Sequence, residues 1–286
     1  MQRITTHLWY DKEAKEAAAF YAAALGNGSR VTSVTSISGT PSGDVDIVHF
    51  ELLGRKFQAI SAGPYFKLNP AISFHVICKT KEETSALWAK LSEGGKVLME
   101  LASYPWSPMY GWCQDRYGLS WQVVLNEGDV PRKITPVAMF TLGANGRAEE
   151  AIRFWTSLFP GSAPGNLMKG PDGTLQYGSF TLMGDEFGAM DGGDKHAFGF
   201  NEAVSFMVPC ETQDEIDELW AKMSADPKAE QCGWLKDKFG LSWQIVPAAL
   251  DALMTSGDAA QRQRVTQAFL KMKKFDIAEL ERAAKG

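Results

Sequence analysis

One phrase occurs twice in this chain. GWCQDRYGLSWQVV spans residues 111–124 and GWLKDKFGLSWQIV spans 233–246, with nine of fourteen positions identical at a fixed offset of 122. That offset is too long for a solenoid repeat and fits one small domain. Further echoes follow in the same order: EAAAFYAAALG with EEAIRFWTSLFPG, FELLGRKFQAI with FTLMGDEFGAM, LWAKLS with LWAKMS. Preserved order means duplication of a domain. The expected boundaries are 1–127 and 132–247, joined by the polar linker 126–133 and followed by a tail, 248–286.

Each half alternates strands with helices. Residues 4–10 are β-rich, and 13–25 place Ala17, Phe20, Tyr21 and Ala24 on one helical face before Gly26. Residues 45–53 alternate with period two, and Gly54-Arg55 reads as a hairpin turn into 57–61. After a strand at 71–78, Thr80 with Glu83 forms a capping box for a helix to about Leu91. Thr212 with Glu215 does the same for 214–224. The last strand of the first half is 120–125. The first half carries an insertion, EGGKVLMELASYPWSPMY, against ADPKAEQC in the second, which predicts an extra strand and an aromatic loop around Trp106. The tail predicts helices over 259–274 and 277–285.

Bulk properties exclude several classes. A net charge of −5 gives no electrostatic footprint for nucleic acid or an anionic membrane surface. There is no apolar run long enough for a transmembrane helix and no signal-peptide layout, so the expected location is the cytoplasm. Four cysteines without a CxxC spacing fit reduced thiols. Cys113 and Cys232 are not equivalent in the repeat, which argues against a shared catalytic thiol.

THLWYDKEAKEAAAFY, AISFHVICKTKEETSALWAKLSEGGKV and the repeated DxxGxxWQ strand carry a resemblance to a known family. The first half resembles PhnB-like proteins of the vicinal-oxygen-chelate (glyoxalase and bleomycin-resistance) superfamily. The second half with its tail resembles the subgroup labelled 3-demethylubiquinone-9 3-methyltransferase. The resemblance implies an α+β fold. Each domain would be two βαβββ units curled into an incomplete barrel around a cup, and the fused pair would form an internal pseudo-dimer, monomeric or further dimerised. The methyltransferase label is not supported by the residues: no glycine-rich loop follows a first strand, and there is no doubly wound pattern.

The resemblance also implies where metal ligands would stand. The last-strand position falls on Gln122 and Gln244, the fifth-strand position near Ala71 and Ala203, and the first strand offers His7 in one half and Val137 in the other. A neutral amide is a poor ligand for a hard cation. The expectation is therefore a cup without metal or other cofactor that binds a small organic molecule, with Gln122, Gln244, His7 and Trp106 as ligand-contacting candidates. The alternative is a metal-dependent lyase, isomerase or dioxygenase. It would use His7, His49 and Glu51 as catalytic candidates beside Gln122, a His–Glu pair being able to move a proton. Trp121 and Trp243 alternate with the glutamines and should face the core. Asp115 and Asp237 should cap turns.

Overall fold

The computed structural model describes residues 3–40 and 42–286; Met1, Gln2 and Pro41, all within the expected first domain, lie outside the described residues. The first βαβββ unit is β1 (Thr5–Tyr10), α1 (Ala14–Leu25), β2 (Arg30–Thr40), β3 (Gly43–Leu52) and β4 (Arg55–Ser61). The second is β5 (Ile72–Cys78), α2 (Lys81–Ser92), β6 (Lys96–Tyr104), β7 (Ser107–Gln114) and β8 (Ser120–Leu125). The third is β9 (Ile134–Thr141), α3 (Ala148–Leu158), β10 (Ala163–Lys169), β11 (Leu175–Leu182) and β12 (Asp185–Gly193). The fourth is shorter: β13 (Val204–Cys210), α4 (Gln213–Met223), β14 (Trp234–Lys236) and β15 (Ser242–Pro247). Helices α5 (Leu250–Thr255), α6 (Ala259–Phe269) and α7 (Ile277–Lys285) close the chain.

Helices α2 and α4 start where their threonine caps dictate. The Thr80 hydroxyl accepts the Glu83 N–H at 3.1 Å, and the Glu83 carboxylate reaches back to the Lys79 N–H at 2.7 Å. Thr212 and Glu215 repeat this at 3.2 and 2.7 Å, the carboxylate there taking the Glu211 N–H. Both capping boxes satisfy donors a helix start leaves open.

The chain divides into two compact units, Thr6–Val204 and a second made of Arg3–Thr5 with Ser205–Gly286. In the first, β1, β4, β3 and β2 lie side by side in that order. An eight-stranded sheet runs β10-β11-β12-β9-β5-β8-β7-β6. Its centre is the antiparallel pair β5–β9, which registers Ser73 on Val137 and His75 on Thr135. The sheet thus joins the second unit of the first half to the first unit of the second half. It is open at β10 and β6, so it forms no closed barrel. Helices α2 and α3 cover one face, where Phe74, Trp121 and Phe140 are fully buried. The core continues through Phe57, 5.3 Å from Phe74, and Tyr21, 5.2 Å from Trp121. Arg55 ties the first βαβββ unit to the third: it donates to the Glu186 carbonyl at 3.0 Å and lies over the Phe187 ring. Burial lowers its pKa to about 10.

The insertion is the β6–β7 hairpin, with Trp106 at its tip, as the length difference predicts. In the second unit β14 is only three residues long, and the tail lies where more strand would otherwise be. The Cys232 and Gly233 N–H groups donate to the carbonyls of Met272 and Lys273 at 2.8 and 2.7 Å, and Phe275 is buried. This corrects the expected helix over 259–274: α6 stops at Phe269, after which the Lys271 and Met272 N–H groups bond back only three residues, to the Ala268 and Phe269 carbonyls, and the chain turns onto Cys232 and Gly233. Gln213 clamps the same stretch, donating to the Phe275 carbonyl and accepting from the Ile277 N–H.

Candidate functional site

The repeated phrase encodes two buried clamps. Asp115 accepts the N–H groups of Tyr117 and Leu119 at 2.8 and 3.1 Å and the indole N–H of Trp121 at 2.7 Å. Asp237 does the same for Phe239, Leu241 and Trp243 at 2.9, 3.1 and 2.9 Å. The turn role read from the sequence is present, and the same carboxylate also fixes the core indole. Trp121 and Trp243 are both buried. The next residue points to the other face. Gln122 donates to the Ser73 hydroxyl at 2.6 Å and accepts from the Tyr110 hydroxyl at 2.8 Å; Gln244 donates to Ser205 at 2.9 Å. Ser73 and Ser205 were not among the sequence candidates, although AISF and AVSF repeat in step with the glutamines.

The helix-free face of the eight-stranded sheet gathers most of the chemistry. Register places Trp112, Gln122, His75 and Thr135 in one row across β7, β8, β5 and β9. Tyr110, Trp112 and Met139 form a nearly buried apolar cluster with Leu98, Val124, Met190 and Phe198 packed against it. The Trp112 indole donates to Ser120 at 2.9 Å, and His196 meets its ring edge-on at 6.1 Å. Trp106 is 61% exposed, stacks on Tyr104 at 5.1 Å and meets Tyr110 edge-on at 5.9 Å. A chain of rings therefore leads from solvent to Gln122. From the other side Tyr177 lies across β12 to within 6.4 Å of the His75 ring. It can do so because residue 188 is glycine; a Cβ there would stand 2.9 Å from the Tyr177 hydroxyl.

The remaining candidates lie apart from this face. His7, Gln58 and His49 occupy one row across β1, β4 and β3. Glu51 is on the same face of β3 as His49, but its carboxylate is held by Arg30 at 2.6 Å. Gln244 belongs to the second compact unit. Cys78, Cys113 and Cys210 are buried free thiols whose pKa values rise to about 11, 12 and 12, which leaves them protonated and unreactive.

Burial holds two histidines neutral. His7 is lowered from 6.5 to about 3 by desolvation, then by His49; His75 is lowered from 6.5 to about 4 by desolvation, then by Lys133. The folded value is the lower one, so below pH 6.5 the unfolded chain takes up protons that the folded chain refuses. Stability falls as pH drops through that window. For His7 alone the loss between pH 7 and 5.5, where carboxylates are still ionised, is about 1.4 kcal/mol. Urea unfolding at the two pH values measures it. His7→Gln should flatten the dependence, and an unchanged slope in that variant would remove His7 from the account.

A divalent cation of the kind the glyoxalase resemblance implies needs converging oxygen or imidazole donors. Facing Gln122 across the sheet centre, β9 and β12 bring Val137 and Gly188, and Tyr177 lies over the gap. The Gln122 amide oxygen already accepts from Tyr110. No three His, Cys, Asp or Glu side chains converge among the described residues. This donor set does not fit a divalent metal.

Paired βαβββ units in open sheets with helices on one face define the glyoxalase-like, vicinal-oxygen-chelate class of fold. The chain belongs to the family described as 3-demethylubiquinone-9 3-methyltransferase, whose sequence profile matches residues 2–124 and again 132–246. A putative 3-demethylubiquinone-9 3-methyltransferase, PhnB protein, from Bacillus cereus is 35% identical over 44% of this chain and 100% of its own, with a TM-score of 0.41. Glyoxalase I from Zea mays is 12% identical over 88% of this chain and 96% of its own, with a TM-score of 0.55. A putative dioxygenase from Bacillus subtilis is 11% identical over 86% of each chain, with a TM-score of 0.51. The last two show likeness of fold. No protein of curated function matches the sequence. Among the described residues no helix is long and apolar enough to cross a membrane.

Proposed function

We propose that this protein binds a small organic molecule on the helix-free face of the eight-stranded sheet, without a metal, in the cytoplasm. One observation carries the reading. Where a metal ligand would stand, Gln122 is instead locked by Ser73 and Tyr110 as a fixed amide beside the apolar cluster of Trp112, Tyr110 and Met139. A mostly apolar surface with a few fixed polar groups is the usual composition of a ligand site. The metal-dependent lyase, isomerase or dioxygenase reading would need donors that Val137 and Gly188 do not offer.

Native mass spectrometry of freshly purified protein, followed by a screen of small organic compounds, tests this. A retained organic adduct, or a compound that binds wild type and is lost in Trp112→Leu, is the expected result. A mass excess of one divalent ion that disappears in Gln122→Leu would overturn it. On this reading the fused pair needs no second chain, and the same spectrum should give a monomer mass.

A further inference from the structure

We infer that the ligand taken by this face is flat and carries no formal charge, with a hydrogen-bonding edge read by Gln122, His75 and Tyr177. This rests on the binding reading above and narrows it.

The apolar part of the face sets the shape. Trp112 and Tyr110 are large rings held in place, Trp112 by its bond to Ser120 and Tyr110 by its bond to Gln122. Aromatic rings fixed in this way favour a partner that can lie offset-stacked or edge-on against them. Met139 and Met190 supply soft, adaptable contact around that partner. Leu98, Val124 and Phe198 complete the apolar contact surface. A charged group laid against these rings would lose hydration that they cannot replace.

The polar part sets the edge. Tyr110, Gln122 and Ser73 form a directed chain: the phenol donates to the amide, and the amide donates to the hydroxyl. His75 stands beside Gln122 in register. Tyr177 approaches His75 from the opposite side over the bare Gly188. All of these groups are neutral near pH 7. Burial and Lys133 keep the His75 imidazole unprotonated, and burial raises the phenols of Tyr110 and Tyr177. The nearby cation, Lys133, is paired with Glu186. The row therefore offers donors and acceptors but no charge, which suits a hydroxyl, carbonyl or amide on a ring and disfavours a carboxylate or an ammonium.

The test uses the full chain and four probes: 2-naphthol, 2-naphthoate, 2-naphthylmethylammonium and decahydro-2-naphthol. The first three share a flat frame and differ in charge; the fourth is neutral and puckered. Calorimetry and tryptophan fluorescence report binding. The expected result is one site for 2-naphthol that is lost in Trp112→Leu, with each of the other three weaker by about tenfold or more. Gln122→Glu, which keeps the side-chain shape, should move the preference toward the ammonium; His75→Gln is the second variant if that one does not fold. If 2-naphthoate binds as tightly as 2-naphthol, the charge selection is wrong while the binding reading stands. If the puckered alcohol matches 2-naphthol, the shape selection is wrong. If no probe binds and native spectra show a bare chain throughout the compound screen, the face is not a binding site and both readings fail.

Discussion

Gly233→Ala is expected to destabilise the second compact unit by about 2–4 kcal/mol and to release the tail. Two effects add. Residue 233 has φ of +83°, a left-handed backbone that costs an alanine about 1 kcal/mol or slightly more. Its Cβ would also stand 2.5 Å from Phe275 Cε2 and 2.9 Å from the Ile245 carbonyl oxygen. Phe275 is 1% exposed and Ile245 O is backbone, so neither can step aside cheaply; forced overpacking adds about 1–3 kcal/mol. Gly240→Ala is the internal control. It has φ of +85° with nothing within 4 Å of the added carbon, so it should cost only the backbone share, about 1 kcal/mol. Urea unfolding of both variants, with protease sensitivity of the tail, decides the matter. Equal costs for the two glycines would sink the claim that Phe275 is wedged against residue 233.

Asp115→Ala is expected to cost about 3 kcal/mol. Three buried donors lose their acceptor at once: the Tyr117 and Leu119 N–H groups and the Trp121 indole. An orphaned buried donor costs about 1–3 kcal/mol. Part of that is offset, because desolvation raises the carboxyl pKa and its removal relieves a buried charge. Asp115→Asn separates the contributions. It keeps one oxygen for the turn but can turn an NH2 toward the indole, so it should cost about half as much. Asp237 makes the same three bonds in the other half, and Asp237→Ala should reproduce the effect. Thermal melts of all three variants are the measurement. A loss below about 1 kcal/mol for both alanine variants would mean the clamps are replaceable by water.

Much of the fold was legible because the duplication marks it. The capping boxes at Thr80 and Thr212, the core positions of Trp121 and Trp243 and the aromatic hairpin around Trp106 all follow from local pattern. Which units share a sheet did not follow. Repeated strands are alike in sequence, so nothing local tells β5 to pair with β9 across the two halves. The helical reading of 270–274 failed because that stretch turns onto a distant segment, Cys232–Gly233, and buries Phe275 there, a packing that no local pattern shows. At the site, Gln122 and Trp106 could be found from the repeat and the insertion. His75 had no visible partner, since Tyr177 reaches it diagonally over Gly188, a contact that exists only once several strands are laid side by side. Glu51 looked like a partner for His49 because they share a strand face, but the ion pair with Arg30 lies on a neighbouring strand.

The eight strands that carry the candidate site come from one uninterrupted stretch, Ile72 to Gly193. Its central pair, β5–β9, joins four strands of the first half to four of the second. On the ribosome, every strand of that sheet has been made before residues 194–286 exist. Chains emerge from the N-terminal end and tend to fold in that order. The candidate face can therefore be assembled while the fourth unit and the tail are still being synthesised. An arrested nascent chain ending soon after Gly193 already holds every side chain assigned to ligand recognition.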